Sequence, residues 1–213
     1  MVLIGSIDPG LVNLGLSVVD SESGDIVVLK KISLLQPDSL SGGRYRYSRA
    51  LLPTICKKFV EDHREILSSC QMILIEGQMQ SRFIQMSLIL EALCLEFCPS
   101  LIQHPSSVKS HFQTGTGNYK KNKEMAVLCC RTILSPSNWA KIERFPASKR
   151  DDCADAVLQA YFGLDNYDKL LTKYSQSPPL DKGQTRTRSK TKKRPRSQKR
   201  VASNHRTLKV VRL

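Results

Sequence analysis

A mixed α/β domain built around one sheet, followed by a basic tail, is the architecture this sequence predicts. Three observations carry it. Short apolar runs rich in Val, Ile and Leu alternate with longer segments of helical spacing. The 213 residues suit one domain of ordinary size plus an appendage. The formal charge of +14 belongs to one end of the chain: Lys169 to Leu213 hold eight Lys and seven Arg against one acid, Asp181, whereas residues 1–168 hold 18 bases and 18 acids. The expected division is therefore a neutral body over residues 1–168 and a basic, largely disordered tail over residues 169–213. Within the tail, Ser175 to Ser203 carries Pro178, Pro179, Gly183 and Pro195 among Ser, Thr, Lys and Arg, without the apolar periodicity that would offset its ordering entropy.

Taken in order, Val2 to Asp8 is an apolar run stopped by Pro9-Gly10, a buried strand ending in a turn. Leu14 to Val19 and Asp25 to Ile32 are two further strands around Ser21-Glu-Ser-Gly24, completing an antiparallel meander. Arg46 to Leu67 has helical spacing, with Leu51, Ile55, Phe59 and Val60 on one face. Gln71 to Glu76 is a second buried strand ending in a carboxylate. Arg82 to Phe97 is a helix apolar nearly all round, as expected of one covered by its own sheet and by a second subunit. Leu101 to His104 is a short strand, and Ser106-Ser107 are placed to cap a helix through Phe112. Helices are also expected from Lys121 to Ile133 and from Ser148 through Tyr161. Five strands flanked by helices result.

Several function classes fall away. Hydrophobic residues make up 40% and charged residues 24%, so a packed core is expected and wholesale disorder is not. The most apolar segment, Phe83 to Cys98, is interrupted by Gln85, Glu91 and Glu96 and falls short of the roughly 18 apolar residues of a membrane span. Nothing at the N-terminus reads as a secretory or organelle leader. The seven Cys form no CxxC pair, which leads us to expect a reducing intracellular compartment and no zinc site. His63, His104, His111 and His205 accompany no nucleophile elbow. Gln113 to Asn118 lacks the Gly-Lys-Ser/Thr of a phosphate loop, so no nucleotide cofactor is expected.

Four acids stand at telling places. Asp8 closes the first strand, Glu76 closes a strand that can lie beside it, and Asp152 and Asp155 are three apart on one helix, hence on one face. Singly, each has an ordinary explanation: a turn residue before Pro-Gly, a strand end before Gly, a helix start favoured by the dipole. Together in one pocket they would repel and raise one another's pKa unless a cation lay between them. Hard oxygen donors favour Mg²⁺, with Mn²⁺ as substitute. Two such ions per site suit hydrolysis of a phosphodiester.

The motifs Ser6-Ile-Asp8-Pro-Gly10 with Asn13 and Gly15, Ile73-Leu-Ile-Glu76-Gly-Gln78-Met-Gln80-Ser-Arg82, and Lys149-Arg-Asp-Asp152-Cys-Ala-Asp155-Ala resemble those of the RuvC-type Holliday junction resolvases. The likeness is to the poxvirus, large-DNA-virus and fungal mitochondrial branch, within the RNase H-like superfamily, and covers about residues 1–165. It implies an RNase H-like fold with a central mixed five-stranded sheet, and Asp8, Glu76, Asp152 and Asp155 as the catalytic, metal-binding acids. Spacing does not separate Asp151, four residues before Asp155, from Asp152. Only the motif favours Asp152, and Asp151 is read as a helix cap.

Pro105-Ser-Ser-Val-Lys109 and Tyr119-Lys-Lys121-Asn-Lys123 resemble the region in which resolvase lysines approach the scissile phosphate. A lysine there would neutralise charge that develops near the transition state. Lys121 is the first candidate for the catalytic role, ahead of Lys109 and Lys123; the other reading is an exposed first helical turn. Gly43-Arg44-Tyr-Arg46-Tyr-Ser-Arg49 interleaves bases with aromatics, suited to DNA or equally to a solvated helix start. Gln78, Gln80 and Arg82 lie where a bound strand would pass in that family. The tail suits sequence-independent DNA binding, and Lys190 to Arg196 also resembles a nuclear import signal.

The reading that follows is a Mg²⁺-dependent endonuclease that resolves branched DNA, four-way junctions above all, in recombination and repair. As a homodimer joined through the Phe83–Phe97 helix it would cut both strands symmetrically. The rival readings are an RNase H-like nuclease for hybrids or flaps, and a non-catalytic basic DNA-binding protein. The short length and the missing leader lean towards a viral source, with nucleus and cytoplasm both open.

Overall fold

The computed structural model describes residues 2–35 and 48–176, apart from the side chains of Arg49 and Arg82. Its strands are β1 (Leu3–Asp8), β2 (Leu14–Asp20), β3 (Ile26–Ile32), β4 (Met72–Glu76) and β5 (Ser100–Gln103). They form one sheet in the order β3-β2-β1-β4-β5. Short links make β1, β2 and β3 an antiparallel meander, whereas β4 lies parallel to β1 and β5 parallel to β4. The β2–β3 turn closes on Gly24, whose φ of 69° is cheap only for glycine, and on Asp20, which accepts from Glu22 N and Ser23 Oγ. The mixed five-stranded sheet expected above is the one observed.

Parallel neighbours need crossovers, and helices supply them. Between β3 and β4 run α1 (Leu52–Asp62) and α2 (Arg64–Ser68), and between β4 and β5 runs α3 (Ser81–Cys94). These cover one face of the sheet, where Cys56, Phe59, Met86 and Leu90 pack against Ile7, Leu16, Ile73 and Ile75. After β5 come α4 (Pro105–His111), α5 (Tyr119–Ile133), α6 (Pro136–Glu143), α7 (Arg150–Asp165) and α8 (Tyr167–Gln176). Their apolar side chains, Val157 and Leu158 among them, form a second core with Ile4, Val19, Met72 and Leu74 on the opposite face. Alternation along each strand sends Asp8 and Glu76 to this second face, beside Ile4 and Leu74.

The central helix there is α7, which packs across β1, β2, β3 and β4. Two glycines let it press close. A Cβ at Gly15 would stand 3.0 Å from both Ala156 Cβ and Asp152 O, and one at Gly163 would stand 2.8 Å from Ile4 Cγ2 and Leu74 Cδ1. Helix depth thus depends on the absence of two methyl groups.

Several element boundaries differ from expectation. The helix expected over 46–67 starts at Leu52 and breaks at His63, whose ring Nδ1 donates to Phe59 O at 2.9 Å and ends α1. The helix expected over 82–97 spans Ser81–Cys94, with one face in the core and Ile84 and Leu88 exposed. Helix α4 is capped by His104, whose Nδ1 accepts from Ser106 N, rather than by Ser106 or Ser107. Helix α5 begins at Tyr119 because Asn118 Oδ1 accepts from Lys121 N. A short 3₁₀ turn over Ala147–Lys149 replaces the start expected at Ser148, and no side chain caps α7. Helix α6 was not anticipated. Helix α8 reaches Gln176 with Leu170 in the core, so residues 169–176, grouped with the tail on charge, are helical. Residues 177–213 lie outside the described part. Among the described residues no helix is long and apolar enough to cross a membrane.

Candidate active site

Asp8 and Glu76 end the two adjacent parallel strands at the centre of the sheet, one residue beyond the paired Ile7 and Ile75. Helix α7 lays Asp152 and Asp155 over the same end. All four carboxylates line one cleft of about 440 Å³, together with Asn13, Gln78, Gln80, Lys109, Tyr119 and Lys123. Three elements distant in sequence therefore deliver the four acids to one place.

The electrostatics record their proximity. Burial, then Glu76 through its charge and a shared hydrogen bond, then Asp155 and Asp152 hold the Asp8 carboxyl well above its ordinary range. Burial and the charge of Glu76 push Asp155 up to about 7, against the opposing pull of Lys109 and Lys123. Four acids face two lysines, too few cations to pair every carboxylate if all were charged. Donors fill the gaps between them. Gln78 Nε2 donates to Glu76 Oε2 at 2.7 Å and to Asp8 Oδ1 at 3.2 Å. Lys123 Nζ donates to Asp151 Oδ2 at 2.5 Å and to Asp152 Oδ1 at 3.2 Å. The floor is fixed from below: Ser87 Oγ on α3 donates to Glu76 O at 2.8 Å, and Gly77 N donates to Gln103 O at 2.8 Å.

Among the described residues no three His, Cys, Asp or Glu side chains stand as a finished metal cage. The donor set nevertheless fits a hard divalent cation: every acid offers oxygen, burial and then mutual repulsion raise Asp8 and Asp155, and an amide and an ammonium occupy the spaces between carboxylates.

Not every expected residue arrives at the cleft. Lys121 is exposed and does not line it. Residues two apart on a helix point about 200° apart, so the face that aims Lys123 inwards aims Lys121 outwards. Tyr119, four before Lys123, shares its face, and Lys123 Nζ lies 5.3 Å from the Tyr119 ring centre. Lys109 reaches the cleft from α4. Gln80 is exposed at the rim as the residue preceding α3. Arg44 and Arg46, and the side chains of Arg49 and Arg82, lie outside the described part. Tyr119 lines the cleft as well, and its i, i+4 spacing from Lys123 is the sequence signal for it. Asp151, expected as a helix cap, bonds instead to Lys123, a partner 28 residues away that helical spacing does not display.

No family model matches the sequence, and no curated protein matches it either. Solved structures do match in fold. The yeast mitochondrial Holliday junction resolvase Ydc2 superposes with a TM-score of 0.53 at 14% identity, over 80% of this chain and 85% of that one. The fowlpox virus resolvase, solved with its substrate Holliday junction DNA, gives 0.53 at 11% identity, over 78% of this chain and 98% of that one. This chain shares the fold of these two solved structures.

Proposed function

We propose that the protein is a divalent-metal-dependent endonuclease acting on branched DNA, four-way junctions above all. The observation that carries this reading is the convergence of Asp8, Glu76, Asp152 and Asp155 on one cleft walled by Lys109 and Lys123. Shared fold with structures described as Holliday junction resolvases supports the choice of substrate.

The four acids would hold Mg²⁺, two ions per site, with Mn²⁺ as substitute. Bound there, the cation supplies an activated water and offsets charge at the phosphodiester. The chain's own groups do the rest. Lys109 and Lys123, both lining the cleft, would neutralise charge that grows on the phosphate towards the transition state. Lys121, turned away on α5, is better suited to the DNA backbone outside the cleft. Gln78 and Gln80 sit at the rim beside Glu76, where they position a passing strand. Arg44, Arg46, Arg49 and Arg82 are proposed as further backbone contacts. The exposed apolar side chains Met79, Ile84 and Leu88, at and before α3, support a homodimer that presents two clefts to one junction.

The deciding experiment compares a synthetic four-way junction, an RNA–DNA hybrid and a linear duplex, each with Mg²⁺ and with EDTA. We expect paired nicks in the junction with Mg²⁺ only, lost in Asp8→Asn, Glu76→Gln, Asp152→Asn and Asp155→Asn while junction binding persists. Junction cleavage no faster than duplex cleavage, or cleavage in EDTA, would refute the reading. Sedimentation of a monomer at micromolar concentration would remove the homodimer.

A further inference from the structure

We infer that Asp151 is a positioning residue for Lys123: it takes a share of the ammonium that would otherwise belong to Asp152, keeping Asp152 open to a cation and Lys123 at the cleft wall. The inference rests on the proposed metal-dependent reading in one respect, that Asp152 is a metal-binding acid.

Asp151 and Asp152 are neighbours in the first turn of α7, about 100° apart around the helix, yet both carboxylates reach the same Nζ. They approach it from different sides. Lys123 lines both the acidic cleft and a second groove behind it, between α5 and the residues leading into α7. Asp151 lines that second groove and not the cleft, whereas Asp152 lines the cleft and not that groove, so the ammonium is held from behind by one acid and from the front by the other. This is not a surface pair: the Lys123, Asp151 and Asp152 side chains are 26%, 22% and 14% exposed.

A helix-cap role for Asp151 is not what the contacts show. No side chain caps α7. Asp151 Oδ1 is buried and has no hydrogen-bond partner, leaving Oδ2 and its contact with Lys123 as the group's compensation. Burial opposes the charge on Lys123, and the hydrogen bond to Asp151 is the largest influence restoring it. Without the Asp151 side chain, the whole ammonium would fall to Asp152, where it competes with any cation.

Mn²⁺ titration calorimetry on the full chain without DNA tests this through a mutant cycle. Asp151→Asn should weaken Mn²⁺ binding, by roughly 5-fold for an interaction of about 1 kcal/mol. Lys123→Met should tighten it. The double variant should match Lys123→Met alone, and Asp151→Glu should restore wild-type binding. Equal weakening by Asp151→Asn with and without Lys123 would show a general charge effect and overturn the inference. So would unchanged binding in Asp151→Asn, or a wild type that binds no Mn²⁺. Should Asp151→Asn fail to fold, Lys123→Met decides: unchanged affinity there refutes the competition. Junction cleavage by the wild type is followed in parallel. Metal binding with the expected cycle but no cleavage removes the nuclease reading alone, and cleavage with a flat cycle removes this inference alone.

Discussion

Asp155, raised to about 7 by burial and by Glu76, and Asp8, raised by burial and its three acidic neighbours, hold protons in the folded protein that the unfolded chain has released. Between the ordinary carboxylate range and about pH 7 the folded state binds more protons, so stability falls as pH rises through that window. The metal-free protein is therefore expected to melt higher at about pH 5.5 than at about pH 8, and Mg²⁺ should raise the melting temperature more at the higher pH. Scanning calorimetry checks both; a flat profile would mean that folding does not raise Asp8 and Asp155. The lysines separate by rate. Lys123→Ala should slow cleavage by about 10²–10³-fold, as expected for a group that stabilises developing charge, and Lys121→Ala by far less. Single-turnover kinetics on a junction measures the difference. Asp8 and Glu76 were legible in the sequence because each ends an apolar run. The lysine was not, because a two-residue choice on a helix reverses direction and the core-facing Ala126 and Cys130 alone fix the register.

Helix α7 carries the site as an element, and its depth is set by Gly15 and Gly163. Gly163→Ala would drive a methyl into Ile4 and Leu74, which we expect to cost about 1–3 kcal/mol and to lift Asp152 and Asp155 from the strand ends. Chemical denaturation and cleavage assays together test this: activity should fall further than the stability loss explains. Strands were legible because apolar runs bounded by Pro-Gly or Ser-Gly leave few alternatives. Helix α6 was not, because Ser135-Pro-Ser-Asn138 reads as a turn and the helix depends on distant partners. Asn138 Oδ1 accepts from Ile26 N, its Nδ2 donates to Gly24 O, and Lys141 Nζ donates to Ile26 O. The break at His63 has the same origin, a side-chain hydrogen bond to the backbone that composition does not display.

Across the whole molecule, charge and chemistry occupy different stretches of chain: the four acids stand between residues 8 and 155, whereas the positive excess follows residue 168. Truncation after Ser177 keeps α8, whose Leu170 belongs to the core. The shortened protein should retain metal-dependent cleavage while its junction affinity becomes less sensitive to salt, since each phosphate neutralised contributes about 0.9 to the logarithmic slope. Binding isotherms at several salt concentrations measure that slope; an unchanged value would place the phosphate contacts in the body. The placement of β1 and β4 has one more consequence. They are interior strands, shielded by β2 and β5 and sandwiched between two helical layers, so their backbone amides exchange only when nearly everything else has opened. Fraying at β3 or at α2 should leave the carboxylate geometry untouched, so the cleft is expected to be lost in a single step with the global collapse of structure.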